Sequence, residues 1–203
     1  TLPACGLLEK EENPPSQEPV SDPQPQEPEA PAAPTPEELA AQQVEEILSS
    51  LTLEEKVGQL FFVRCPAEHA IEDIGTYHLG GYLLFGRDYQ DAAGSWLTEE
   101  QFVQTITAYQ DAALADTGIP LLIGSDEEGG TVTRASRNPN LFSSPFRSPQ
   151  QIAAEAGGRG EAFAEDALEK SNGLKNLGIN VNLSPVADVS TEPKDFIYDR
   201  TLG

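Results

Sequence analysis

The 203-residue sequence predicts an α/β fold from three observations. Short apolar runs of strand length alternate with longer segments whose apolar residues recur at helical spacing. The apolar runs are mostly continuous rather than alternating, as parallel strands covered on both faces require. Glycines at 58, 80–81, 118 and 178 punctuate the passage from one kind of segment to the next.

The first helix is predicted in PEELAAQQVEEILSSL, where Pro36 suits a first turn and Leu39, Val44, Ile47, Leu48 and Leu51 share a stripe. Thr52-Leu53-Glu54-Glu55 fits a capping box, Thr52 accepting from a backbone amide and Glu55 reaching back, and starts a short second helix toward Gly58. Leu60 to Val63 reads as a buried strand. AEHAIEDIGTYH reads as a helix, and Tyr82 to Phe85 as the next strand, closed by Gly86. Thr98 caps another helix, whose stripe is Phe102, Ile106, Tyr109 and Ala113. Its stop at Gly118 leads into a strand from Ile119 to Ile123. Ser148-Pro149 opens a helical region interrupted at Gly157-Gly158, and Ile179 to Leu183 is the fourth strand, stopped by Pro185.

Residues 1–36 read as a separate, disordered region ahead of a folded part over 37–203. Glu9 to Glu38 holds nine prolines, nine acids, one lysine and no aromatic residue, so it has nothing from which to build a core. Closely spaced prolines and mutually repelling carboxylates make it an extended, semi-rigid tether. Leu2-Pro3-Ala4-Cys5-Gly6 resembles the end of a bacterial lipoprotein signal, which makes Cys5 the expected lipidation site and the tether a spacer from the membrane. The expected location is the outer face of a bacterial membrane, or the secreted fraction. The only other cysteine, Cys65, lies in the apolar run LFFVRC and is expected to be a buried thiol.

Charge excludes one class of partner. Thr1 to Glu55 holds thirteen acids against one base and the remainder twenty-one against eleven, so nucleic acid is not an expected ligand. No run of eighteen apolar residues is present for a membrane helix.

Two polar motifs follow predicted strands, where either an open doubly wound sheet or a (β/α)8 barrel places its ligand. The first is GSDEEGGTVTR, Gly124 to Arg134. Adjacent carboxylates repel unless a cation compensates, and Arg134 is the natural candidate, brought back by the turn at Gly129-Gly130. Strand alternation puts Leu122, Gly124 and Asp126 on one face, which makes Asp126 the acid aimed into a pocket; the bland alternative is a solvated acidic loop. The second motif runs from Asn180 to Gly203, where Arg200 could grip a carboxylate or paired hydroxyls, or simply pair with Asp195 or Asp199 at the surface. Phosphate binding is disfavoured: three acids repel a pyrophosphate, and no glycine turn of the right form follows a strand. Asp126 with Glu128 could hold Mg²⁺ or Ca²⁺, yet nothing else marks such a site, and His69 and His78 fit no ligand pattern. Neither a metal nor a cofactor is expected. His78 reads as a dipole partner near a helix end.

The segments LTLEEKVGQLF, LGGYLLFG, IPLLIGSDEEGGTVTR, LGINVNLSPVADV and YDRTLG, in that order, resemble the amino-terminal half of the barrel of glycoside hydrolase family 3, in its β-N-acetylhexosaminidase branch. The resemblance spans about Leu51 to Gly203 and implies a partial (β/α)8 TIM barrel of about four strands out of eight. It implies that Asp126, Arg134 and Arg200 bind a sugar, while Glu127 stands where glutamine is common and Phe196 and Tyr198 depart from the commoner residues. It further implies an exo-acting, retaining enzyme that releases terminal N-acetylglucosamine from β-linked glycans such as cell-wall fragments. A β-glucosidase of the same family and a non-catalytic sugar-binding lipoprotein are the alternatives. The family's nucleophilic Asp and His-containing acid/base loop have no match here, so no catalytic residue is expected among these 203. A barrel needs about 250 residues, whereas 153 follow from Leu51, which leads to the expectation that the sequence is a piece of a longer protein.

Overall fold

The computed structural model describes residues 33–157 and 159–201. Cys5, the tether before residue 33 and Gly158 lie outside the described residues. The chain divides into two compact units, Thr1–Ala40 and Ala41–Gly203, the division falling inside helix α1 (Pro36–Ser50). At the start of α1, Thr35 and Glu38 cap each other's amides, at 3.2 and 2.8 Å.

The second unit continues with α2 (Leu53–Gly58), β1 (Phe62–Arg64), α3 (Ala70–Tyr77), β2 (Gly81–Leu84), α4 (Glu99–Asp116), β3 (Leu122–Ser125), α5 (Pro149–Ala156), α6 (Glu161–Asn176) and β4 (Val181–Asn182). Capping boxes start α2, α4 and α5 through Thr52/Glu55, Thr98/Gln101 and Ser148/Gln151. The four strands are parallel in the order β1-β2-β3-β4, with Val63 opposite Tyr82, Leu83 opposite Gly124, and Ser125 opposite Asn182.

That order bears on the two architectures left open by the sequence. A doubly wound sheet reverses its strand order at a switch point. Here each strand lies beside the next, and right-handed crossovers then carry every connecting helix to one face of the sheet. The arrangement is consistent with successive strands of a (β/α)8 barrel.

The covered face carries Tyr82, Leu84 and Ile123, all at most 1% exposed, against Ile74, Phe102, Ile106, Leu174 and Leu177. Tyr89 stacks on Phe102 at 4.9 Å, and Tyr82 meets Tyr109 edge-on at 5.5 Å. On the opposite face Phe62 lies across β2 and β3, where a methyl group on Gly124 would sit 2.4 Å from its ring and one on Gly81 2.6 Å away. Large side chains at either position would push Phe62 off the sheet.

The strand limits differ from those expected, for local reasons. Leu60 and Phe61 do not belong to a buried strand: they are 83% and 53% exposed. Their amides still bond back to Val57 and Gly58, so the helical turn of α2 runs on through them. β3 begins later because Gln110 of α4 takes both the amide and the carbonyl of Leu121, at 2.8 and 3.0 Å. β4 shrinks to two residues because the Asn180 side chain bonds the Ile123 amide and the Leu121 carbonyl in place of the ladder. Cys65 is buried and free, as its apolar setting predicts. His78 occupies the left-handed C-cap of α3 and pairs with Asp116 at 2.9 Å.

Candidate functional site

The site is built on the chain that leaves β3. All three acids lie beyond the strand, which ends at Ser125, so strand alternation does not aim them. Glu127, not Asp126, is the most deeply enclosed, at 0% exposure, with Glu128 at 6%. The Glu127 carboxylate accepts the backbone amides of Arg134, Ala135 and Ser136 at 3.0, 2.8 and 3.4 Å and the Ser136 hydroxyl at 2.5 Å. These amides open the one-turn 3₁₀ helix Ala135–Arg137, where amides with no partner inside the helix suit an anion. Asn182 of β4 fixes the same residue by its backbone, accepting from the Glu127 amide at 3.0 Å and donating to its carbonyl at 3.3 Å. Glu127 therefore organises the loop.

Two positive-φ glycines turn the chain, Gly129 at +97° and Gly130 at +65°. A side chain on Gly129 would fall 1.9 Å from the Arg147 carbonyl oxygen, so only glycine fits. The amides of Glu128 and Gly129 both donate to Val132 O at 3.1 Å, and the returning chain delivers Arg134.

Arg134 donates to Asp126 at 3.1 Å, the compensating pair expected from the sequence. Arg200, in the 3₁₀ turn Tyr198–Arg200, grips Glu128 with Nε at 2.8 Å and Nη2 at 2.7 Å. Its partner is thus neither Asp195 nor Asp199 but a carboxylate 72 residues away, a planar two-point match. Those hydrogen bonds raise the Arg200 pKa further above its ordinary value. The run of three acids is tolerable because each has a different solution: an arginine, a cradle of backbone amides, and a second arginine.

The structure thus brings Asp126, Arg134 and Arg200 to one turn, and adds groups that the sequence did not single out. Phe85, just past β2, has Arg64 and Arg134 guanidinium carbons 4.6 and 5.5 Å from its ring centre. Among the described residues, Arg134 Nε is a buried donor with no hydrogen-bond partner. A cavity of about 750 Å³ adjoins the turn, lined by Gly130, Thr131, Phe146, Gln150 and Asp199. No group of three metal-ligating side chains gathers among the described residues, and Asp126 and Glu128 are each engaged by an arginine.

Parallel strands in sequential order with arginine–carboxylate pairs past their carboxyl ends define an α/β domain that gathers charged side chains at one end of its sheet. The chain belongs to glycosyl hydrolase family 3: the model of that family's N-terminal domain matches residues 52–203. Beta-hexosaminidase A of Pseudoalteromonas piscicida is 32% identical over 132 residues, 63% of this chain and 20% of that protein. A family 3 glycosyl hydrolase of Mycobacterium smegmatis superimposes with a TM-score of 0.59 at 26% identity, covering 77% of this chain and 43% of that one. A family 3 β-N-acetylglucosaminidase of a Paenibacillus species superimposes at 0.54 with 30% identity, covering 67% and 24%. The chain thus spans less than half the length of these relatives.

Proposed function

We propose that this chain is the sugar-binding half of a (β/α)8 glycoside hydrolase, an exo-acting, retaining β-N-acetylhexosaminidase that releases terminal N-acetylglucosamine from β-linked glycans. The observation that carries the reading is the clustering of the Asp126–Arg134 and Glu128–Arg200 pairs in the turn after β3. A carboxylate can accept from one sugar hydroxyl while nearby guanidiniums donate to its neighbours, which fixes the ring for reacting groups supplied elsewhere in the protein. The names of two relatives, a beta-hexosaminidase and a β-N-acetylglucosaminidase, support the choice of sugar. Ion pairing argues against reading Asp126 and Glu128 as a catalytic pair, because each is already engaged by an arginine.

The Pro-rich segment is proposed to tether this domain outside a bacterial cell through a lipid on Cys5. Labelling the expressed precursor with a radioactive fatty acid tests this: Cys5→Ser should abolish incorporation, and persistent labelling would refute it.

The full-length protein should cleave an aryl N-acetylglucosaminide in preference to an aryl glucoside, and the reverse preference would sink the assignment. Asp126→Ala should lower kcat/KM about a hundredfold. Unchanged kinetics would remove Asp126 from the site.

A further inference from the structure

Helix α6 sends a buried cation beneath the turn. Lys170 Nζ lies 2.7 Å from Asp166 Oδ2, one helical turn earlier, and both side chains are under a tenth exposed, at 6% and 8%. A lysine and an aspartate four residues apart usually stand in water; a buried ammonium persists only where partners replace its hydration. Besides Asp166, Lys170 donates to the backbone carbonyl of Glu128 at 3.1 Å, and the Phe146 ring centre lies 5.7 Å away. The choice of carbonyl is informative, because Glu128 is the residue whose carboxylate grips Arg200 through two nitrogens.

The geometry makes a chain of fixed points: Asp166 holds Lys170, Lys170 holds the Glu128 carbonyl, and the Glu128 carboxylate holds Arg200. The peptide that carries this carbonyl joins Glu128 to Gly129, whose φ of +97° is open to glycine and gives little steric resistance to rotation. The Val132 oxygen restrains the amide side of that turn, and Lys170 restrains the carbonyl side. We propose that Lys170, buttressed by Asp166, is a positioning residue of the sugar clamp that sets the orientation of Arg200 through Glu128. This rests on the reading of Asp126, Arg134 and Arg200 as sugar-binding groups. Lys170 itself is sealed from the site and touches no substrate.

The test is a double-mutant cycle in the full-length protein with an aryl N-acetylglucosaminide as substrate. Lys170→Met combined with Asp166→Leu removes both charges and leaves no lone buried ion; Lys170→Gln serves in its place if that pair does not fold. The paired substitution should raise KM about tenfold with a smaller change in kcat, as expected when a binding group loses its orientation. Lys170→Arg, which keeps the charge and a donor, should recover most of the loss. In an Arg200→Ala background the same paired substitution should change KM less than about twofold, because the group it positions is gone. Arg200→Ala impaired while the paired substitution leaves KM at the wild-type value overturns the role of Lys170 alone. Effects that multiply independently overturn it as well. An Arg200→Ala enzyme with unchanged KM overturns the clamp and the positioning role together.

Discussion

Two regions of this molecule treat charge and apolarity in opposite ways. In the turn after β3, two of three consecutive acids are withdrawn from water, Glu127 at 0% and Glu128 at 6% exposure. On α1, an apolar stripe of Leu39, Val44, Ile47 and Leu48 is 44–55% exposed, and no residue of the helix is buried. What separates them is the supply of partners. The turn surrounds its carboxylates with three backbone amides, a hydroxyl and two arginines, whereas the described residues offer α1 only the shallow groove lined by Leu51, Lys56, Gln59, Leu60 and Ile119. The lesson is that burial follows satisfied interactions, and that in this chain the most polar segment is the better determined one.

The contrast is sharpest under mutation. Glu127→Ala strips the partner from three amides and a hydroxyl at once, and should lower the unfolding free energy by about 3–5 kcal/mol in urea titration of the full-length protein. Glu127→Gln keeps an acceptor for the amides but returns a donor toward Ser136, so a loss of about 1 kcal/mol is expected. Equal effects of the two substitutions would show that the carboxylate is not the organising group. Gly129→Ala comes next, with a loss of about 2–4 kcal/mol, because the new methyl group meets the Arg147 carbonyl oxygen and φ is positive.

Between these extremes lies Cys65, polarisable but enclosed. Burial pushes its thiol from an ordinary 9.0 up to about 11. The folded protein then holds that proton more tightly than the unfolded chain. The associated stability is complete below pH 9 and fades as the pH rises toward 11. Alkylation of Cys65 at pH 8 should be at least about tenfold slower in the native protein than in denaturant, as followed by mass spectrometry. Rapid native labelling would place Cys65 at the surface.

The smallest effect belongs to α1. Leu48→Ser should change stability by no more than about 0.5 kcal/mol, since the side chain is 44% exposed already. A loss of 2 kcal/mol would mean that this stripe is covered in solution, and would erase the contrast with the turn.

Legibility in the sequence follows the same division. Local signals read true: the capping box at Thr52, the cap at Thr98, the turn at Gly129-Gly130 and the Asp126–Arg134 pair all act over fewer than ten residues. Strand limits were less legible because side chains of distant residues, Gln110 and Asn180, take over backbone bonds at the strand starts. The burial of Glu127 was hidden because its partners are backbone amides, which no residue type announces. The Glu128–Arg200 pair spans 72 residues, and the Asp166–Lys170 pair looks from its spacing like any solvated helical pair. Sequential strand order is likewise a property of the folded sheet alone.

Asp126, Arg134 and Arg200 are proposed to grip one sugar ring. A crystal structure of the full-length protein soaked with N-acetylglucosamine tests it most directly. Ring hydroxyls should lie within about 3.2 Å of the Asp126 carboxylate and of both guanidiniums. A sugar bound elsewhere, with these three groups contacting only the protein, would contradict it.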